Sequence, residues 1–393
     1  MKKGWQQKEI GDLCEVIAGQ SPEGKFYNAN GKGMPFYQGK KDFGDKFIEP
    51  PTTWTTQITK IAREGDILIS VRAPVGPVNF ATDEVCIGRG LAAIRSRAEL
   101  NRDFMFYQLM HLQPEIAGKE GAVFASINKS EIEALPIAFA PLPEQQRIVR
   151  ILDEAFKGVA TAKANTEKNL QNARAIFESH LQAVFTQRGE GWVETPLSEI
   201  CEIKHGFAFK SRFFSDRGDY VLLTPGNFYE SGGYRDRREK QKYYTGEVPT
   251  GFILSEGDML VAMTEQAAGL LGSPIIVPEA DKFLHNQRLG LVTKKPGAAW
   301  TNEFFFHVFN TVAVRKAIHD SASGVKVRHT SPTKISEVVV AYPESLSKQK
   351  SIVSTLRSLH EETQRLASIY QQKLAALEAL KKSLLHQAFS GEL

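Results

Sequence analysis

Toward the end of the chain, apolar side chains recur at alternating spacings of four and three. Ile352, Leu356, Leu359, Thr363, Leu366, Tyr370, Lys373, Leu377, Leu380, Leu384 and Gln387 keep one register. Eight of the eleven are apolar, which predicts a helix with a heptad seam. The same register, 204 residues earlier, falls on Ile148, Leu152, Ala155, Val159, Ala162, Thr166, Asn169, Ala173, Ile176, His180 and Ala183. That seam carries smaller side chains, and large residues facing small ones allow close packing. Pro141 and Pro143 mark the start of the first helix, and Gly189 and Gly191 its end. Ser345 or Ser347 is placed to cap the second helix, and Gly391 closes it. The plainer alternative is two amphipathic helices, each lying on its own domain.

The helices belong to an internal repeat of about 200 residues, too long for a solenoid unit. Trp5, Leu13-Cys14-Glu15-Val16 and Gly19 return as Trp192, Ile200-Cys201-Glu202-Ile203 and Gly206. Glu64-Gly65-Asp66-Ile67-Leu68 returns as Glu256-Gly257-Asp258-Met259-Leu260, and Asp103-Phe104-Met105-Phe106 as Glu303-Phe304-Phe305-Phe306. The offset grows from 187 to 192 to 200 and then holds at 204 from Ile148 onward. A gapped stretch followed by a gapless one predicts a loop-rich domain followed by a rod that accepts no insertions. A compact domain keeps its ends close together, so the two rods are expected to run antiparallel. About 40 helical residues span roughly 60 Å.

The domains read as mixed α and β. Ile67 to Val71 and Met259 to Met263 are expected as strands after a Glu-Gly-Asp turn. Phe104 to Leu112 and Phe304 to Ile318 are each expected as one helix. Gly, Pro and aromatic residues between them predict long ordered loops, where binding groups tend to sit.

Composition adds boundaries more than identity. No run approaches the roughly 18 apolar residues of a membrane span. Met1-Lys2-Lys3-Gly4-Trp5 lacks an apolar stretch, and Cys14, Cys86 and Cys201 form no CxxC pair, so a reducing cytoplasm is expected. The net charge of +4 is concentrated in the rods. Residues 1–143 carry 17 basic against 17 acidic side chains, and residues 188–345 carry 19 against 19. Residues 144–187 carry 6 against 5, and residues 346–393 carry 7 against 4. Bulk charge therefore names no partner.

Catalytic motifs are absent. There is no GxxxxGK[ST], GxSxG or HExxH, and no Asn/Asp-Pro-Pro-aromatic loop of an amino-methyltransferase. Gly31-Lys32-Gly33 and Gly88-Arg89-Gly90 fail the dinucleotide fingerprint. Pro278-Glu279-Ala280-Asp281-Lys282 has the residue types of a nuclease acidic pair at the wrong spacing. The nine histidines show no ligand spacing, so no metal site is expected.

The loops instead carry donors suited to DNA grooves. The first copy offers Lys25, Tyr27, Asn28, Lys32, Gln38, Lys40, Lys41, Arg72, Asn79 and Arg89. The second offers His205, Lys210, Arg235, Arg237, Arg238, Lys240, Lys242, Gln266, Asn286, Gln287, Arg288, Lys326 and Arg328. Arg and Lys pair with guanine or with phosphate, and Asn and Gln pair bidentately with adenine. For any one of them a solvated loop is the simpler account. As a set on a two-lobed rod they point to an asymmetric, bipartite DNA target with an unread spacer. The competing reading is a coiled-coil scaffold whose end domains bind proteins rather than DNA.

Several stretches match a known pattern. Leu135-Pro136, Pro141-Leu142-Pro143-Glu144-Gln145-Gln146-Arg147-Ile148-Val149 and Leu384-Leu385, Ala388-Phe389-Ser390-Gly391-Glu392-Leu393 flank the rods, and Gly19-Gln20-Ser21-Pro22 and Pro35-Phe36-Tyr37-Gln38-Gly39 lie in the first domain. With the repeat, they make the whole chain resemble the specificity subunit of a prokaryotic type I restriction–modification enzyme. The second copy departs from the pattern before its rod: Tyr342-Pro343-Glu344-Ser345-Leu346-Ser347-Lys348-Gln349 loses the Pro-x-x-Glu-Gln-Gln run.

The resemblance implies an α+β fold, with two pseudo-repeated mixed α/β target-recognition domains separated by a pair of long antiparallel coiled-coil helices. Residues 1–143 and 188–345 would be the recognition domains, and 144–187 and 346–393 the conserved helices. It implies a non-catalytic subunit that holds no cofactor. Its partners would be double-stranded DNA, two methyltransferase (modification) subunits and two ATP-dependent restriction subunits. S-adenosylmethionine, ATP and Mg would sit on those partners, and the complex would methylate adenine.

Overall fold

The computed structural model describes residues 4–117, 126–265, 269–324 and 327–393. The chain divides into two compact units, residues 1–168 with 370–393 and residues 169–369. Each unit therefore takes half of each long helix. No helix among the described residues is long and apolar enough to cross a membrane.

In the first unit an antiparallel sheet runs in the order Cys14–Ala18, Leu91–Ser96, Ile67–Ser70, Val78–Phe80. Alternation along the strands divides the core in two. Ile67 and Ile69 face a cluster completed by the helix Arg102–Ile116 and by Ile148, Leu152, Leu385 and Ala388 of the long helices. Leu68 faces the other way, onto Tyr37, Val85 and Ile87. These belong to a small mixed sheet of Tyr27–Asn28, Trp54–Thr55, Met34–Tyr37, Val85–Ile87 and Ile61–Ala62, which orders the loops of this unit.

The second unit repeats the plan. Cys201–His205, Leu289–Lys294, Met259–Ala262 and Pro274–Ile276 form a sheet of the same order. Met259 and Val261 face the helices, and Leu260 and Ala262 face the loop sheet. The stretch Phe304 to Ile318 is not one helix, as the apolar pattern suggests, but two, Asn302–Phe309 and Val312–Ser321. Thr311 causes the break: its hydroxyl donates to Val308 O at 2.7 Å and accepts from Val314 N–H at 3.4 Å. It closes one helix and caps the next.

The long helices are continuous, Leu142–Thr186 and Leu346–Ser390, with 45 residues each. The first begins two residues earlier than the charge boundary at 144. Pro143 sits in the first turn, where a missing N–H costs nothing. Ser345 caps the second, its hydroxyl accepting from Lys348 N–H at 3.3 Å. Within the first unit the segments run antiparallel. Arg147 donates to Leu393 O at 2.8 Å, Lys381 lies 5.2 Å from the centre of the Phe156 ring, and Lys163 meets Glu378 at 2.9 Å. Within the second, Phe177 packs edge-on to His360 at 4.8 Å, and Leu181 and Phe185 share the core with Val353 and Leu356.

Each domain is fastened to its helices in the same two ways. Trp5, Phe104 and Phe389 pack edge-on in the first unit, and Trp192, Phe304 and Phe185 form the corresponding edge-on and tilted cluster in the second. The second fastening is a buried amide. Gln145 donates to Ala140 O (2.8 Å) and Glu99 O (3.1 Å) and accepts from Asn101 N–H (2.7 Å). Gln349, 204 residues on, donates to Pro343 O (3.0 Å) and Ala299 O (2.8 Å) and accepts from Thr301 N–H (3.1 Å). Both are fully buried. The second junction thus loses its proline-glutamate run but keeps the buried amide that ties domain to helix.

Candidate nucleic-acid interface

Four of the ten loop residues singled out in the first unit share one cleft of about 750 Å³. Tyr27, Gln38, Lys41 and Arg89, each singled out from sequence, line it together with Gln20, Ser21, Phe36 and Asp42. Tyr27 stacks on Phe36 at 4.8 Å and donates its hydroxyl to Pro22 O at 2.9 Å, which fixes one wall. Ser21 Oγ lies 3.0 Å from Gln38 Nε2 and accepts from Arg89 N–H at 3.1 Å. Burial holds the Asp42 carboxyl above the usual carboxylate range, against the lowering effect of Lys41.

The cleft depends on a chain crossing. Gly19 N–H donates to Leu91 O (2.9 Å) and Gln20 N–H to Ile87 O (3.0 Å). A Cβ on Gly19 would lie 2.2 Å from Gly88 O, so only glycine lets the strands meet. The second unit builds the same crossing. Gly206 N–H donates to Leu289 O (3.3 Å), Phe207 N–H to His285 O (2.9 Å), and a Cβ on Gly206 would lie 2.1 Å from Asn286 O. Gly88-Arg89-Gly90 and Asn286-Gln287-Arg288 therefore occupy corresponding positions.

Many of the other donors are exposed. Lys32, Lys40 and Arg72 in the first unit are exposed, as are His205, Lys210, Arg235, Arg238, Lys240, Lys242, Gln287 and Arg288 in the second. Lys25 is exposed too, but pairs with Glu23 at 2.6 Å. Asn28 shapes its own loop, donating to Lys32 O at 2.8 Å and accepting from Lys32 N–H at 3.0 Å. Asn286 is buried, and its side-chain oxygen accepts from Arg288 N–H at 3.0 Å.

Two positions depart from the expectation. Asn79 is buried, donating to Gly44 O and accepting from Gly44 N–H at 2.8 Å, so it staples a turn and presents nothing to a base. Arg328 turns inward onto His319, with its guanidinium 2.8 Å from both the ring Nε2 and the carbonyl oxygen. Gln266 and Lys326 lie outside the described residues.

The basic loop of residues 235–242 is held by two amides that escaped notice in the sequence. Asn227 donates to Gln241 Oε1 at 2.9 Å, and Arg235 N–H donates to Asn227 O at 2.7 Å. Both amides are buried. In the sequence Gln241 stands out only as an uncharged residue within the run from Arg235 to Lys242, and nothing marks Asn227. Arg237 is half-buried, and Arg238 adopts a left-handed φ of 49°, a conformation costing roughly 1–2 kcal/mol away from glycine. Asp236 accepts from Arg238 N–H at 2.9 Å and holds it there. Among the described residues, no group of three His, Cys, Asp or Glu is placed to hold a metal ion.

A loop surface of this kind, built twice with different side chains, defines a paired recognition module. Residues 2–172 and 189–377 match the type I restriction modification DNA specificity domain, and the chain belongs to that family of specificity subunits, which are non-catalytic. It is 40% identical over 174 residues to the putative type I restriction enzyme MjaX specificity subunit of Methanocaldococcus jannaschii, covering 43% of this chain and 40% of that one. It is 25% identical over 234 residues to the type I restriction enzyme EcoBI specificity subunit of Escherichia coli, covering 60% of this chain and 44% of that one. These alignments span less than half the length of either relative. A chain solved in a study of complex assembly and conformational transition of the type I R-M system shares the fold, with a TM-score of 0.80 at 17% identity over 100% of this chain and 99% of that one.

Proposed function

We propose that the chain reads a bipartite, asymmetric DNA sequence and serves as the assembly centre of a type I restriction–modification enzyme. The observation that carries this reading is the duplicated glycine crossing. It offers Arg89 at one address and Gln287 at the corresponding one, so two similar scaffolds hold different readers. Residues 1–143 and 188–345 act as the two target-recognition domains, and residues 144–187 and 346–393 as the conserved helices. The loops around Lys40, Arg72 and Arg89 read one half-site, and those around Arg235 to Lys242 and Gln287-Arg288 read the other. Balanced domain charge fits this division, because base readout needs placed donors more than a strong general field.

Two methyltransferase subunits bind S-adenosylmethionine and flip the target adenine. Two restriction subunits hold ATP and Mg. The complex works in the cytoplasm. Selection from a random-sequence duplex pool, with the methyltransferase partner present, tests the reading. Two short motifs at one fixed separation are expected. Enrichment of no sequence would overturn it in favour of a scaffold whose domains bind proteins.

A further inference from the structure

We infer that Arg89 and Gln287 are equivalent specificity-determining residues, one address reading a different base in each half-site. The inference rests on the DNA reading proposed above and deepens it. Four backbone features coincide between the units. The glycine N–H bonds to Leu91 O in one and Leu289 O in the other, and the next N–H bonds to Ile87 O or His285 O. The same glycine face abuts Gly88 O or Asn286 O. Leu91 N–H returns to Gly88 O and Leu289 N–H to Asn286 O, both at 3.0 Å. Residues 89 and 287 both follow that carbonyl.

The backbone of each is tied down while its side chain is left free. Arg89 N–H donates to Ser21 Oγ at 3.1 Å, and Gln287 N–H donates to Phe207 O at 2.9 Å. Both side chains are exposed, and neither makes a hydrogen bond or ion pair among the described residues. A fixed backbone under a side chain free of protein partners suits a base reader: the backbone is ordered before binding, and only the side chain remains to be ordered. Arginine matches guanine O6 and N7, and glutamine matches adenine N6 and N7. The chemistry thus differs where the scaffold does not.

The test compares the selected or methylated motif of the full chain, assembled with its modification subunit, for wild type, Arg89→Gln and Gln287→Arg. Arg89→Gln should switch one position of one half-site from G to A by about tenfold, with the other half-site unchanged. Gln287→Arg should switch one position of the other half-site from A to G. An unchanged motif in either variant, or a uniform loss of affinity across all sequences as from a phosphate contact, overturns the assignment. A wild-type chain that selects no two-part motif would instead sink the DNA reading itself.

Discussion

Gln145 joins three separate segments of the first unit through one side chain. Its amide joins the strand end at Ala140, the loop at Glu99 and the helix start at Asn101, and only an amide supplies two donors and an acceptor there. Gln145→Leu would leave two carbonyls and one N–H unsatisfied inside the fold. At ~1–3 kcal/mol each, partly relieved by relaxation, the loss should be about 3 kcal/mol or more. Gln349→Leu should behave alike, and Gln146→Leu, on the exposed side of the same helix, should change little. Chemical denaturation of the full chain checks this, and a loss under about 1 kcal/mol for Gln145→Leu would refute the role. Sequence reading passed over Gln349 because it searched for a run of residues. What the fold retains is one amide at an offset of 204. Asn79 failed for the opposite reason: a donor in a loop is indistinguishable, without coordinates, from a donor folded into it.

At the scale of elements, the long helices were legible and their seam was legible only in part. Along the first twenty or so residues of each, the heptad positions are indeed covered, with Ile148, Leu152, Thr166, Leu356 and Thr363 buried. Farther along, Asn169, Ile176 and His180 are exposed, Ala173 stays buried in register, and Leu181 and Phe185, off the register, are buried. In the second helix Lys373 and Leu380 are exposed, whereas Leu374 and Lys381 are partly covered and Leu385 and Ala388 buried. A helix turning every 3.6 residues drifts ~20° per heptad against a 3.5 repeat, so over three to four heptads the covered face turns through most of the ~100° that separates neighbouring residues.

The strands were legible because each is apolar on both faces, as a sheet between two clusters requires. The ends of strands hold a titrating group. His285, the counterpart of Ile87, is fully buried, with Nε2–H donating to Leu289 O at 2.9 Å and Nδ1 unpartnered among the described residues. Burial pushes its pKa down to about 4. The unfolded chain takes up a proton near pH 6.5, and the fold refuses it until about pH 4. Stability is therefore full above pH 6.5 and falls as pH drops through that window, by at most about 3 kcal/mol. The protection factors of the amides in Leu289–Lys294, taken relative to intrinsic exchange at each pH, should fall more between pH 7 and 5 than those in Leu91–Ser96. His285→Ile, borrowing the first unit's solution, should shrink the difference and leave the share of His307, whose burial in the same unit also lowers its pKa to about 4. Equal acid responses in the two strands, with no effect of the substitution, would count against it.

For the molecule as a whole, duplication was the most legible property, because a fixed offset survives even where side chains diverge. It exposed two recognition units and two helices, and the fold keeps that plan down to the order of strands and the bonds at each junction. Catalytic motifs were missing from the sequence, and the family to which the chain belongs is one of specificity subunits. What stayed hidden was which loop donors face outward. Loop conformation decides that, and it rests on buried partners such as Asn227 and Gln241 that no periodicity reveals. The two crossings then sort the candidate donors into corresponding sites, Arg89 in one and Gln287 in the other.

The most direct test is the adenine methylation pattern of DNA from a host expressing this chain with its modification subunit. The account predicts one motif of two short, unlike half-sites, with a methylated adenine in each, separated by a spacer of constant length and free sequence. A single continuous motif, two identical half-sites, or methylation that persists unchanged when this chain is removed would contradict it.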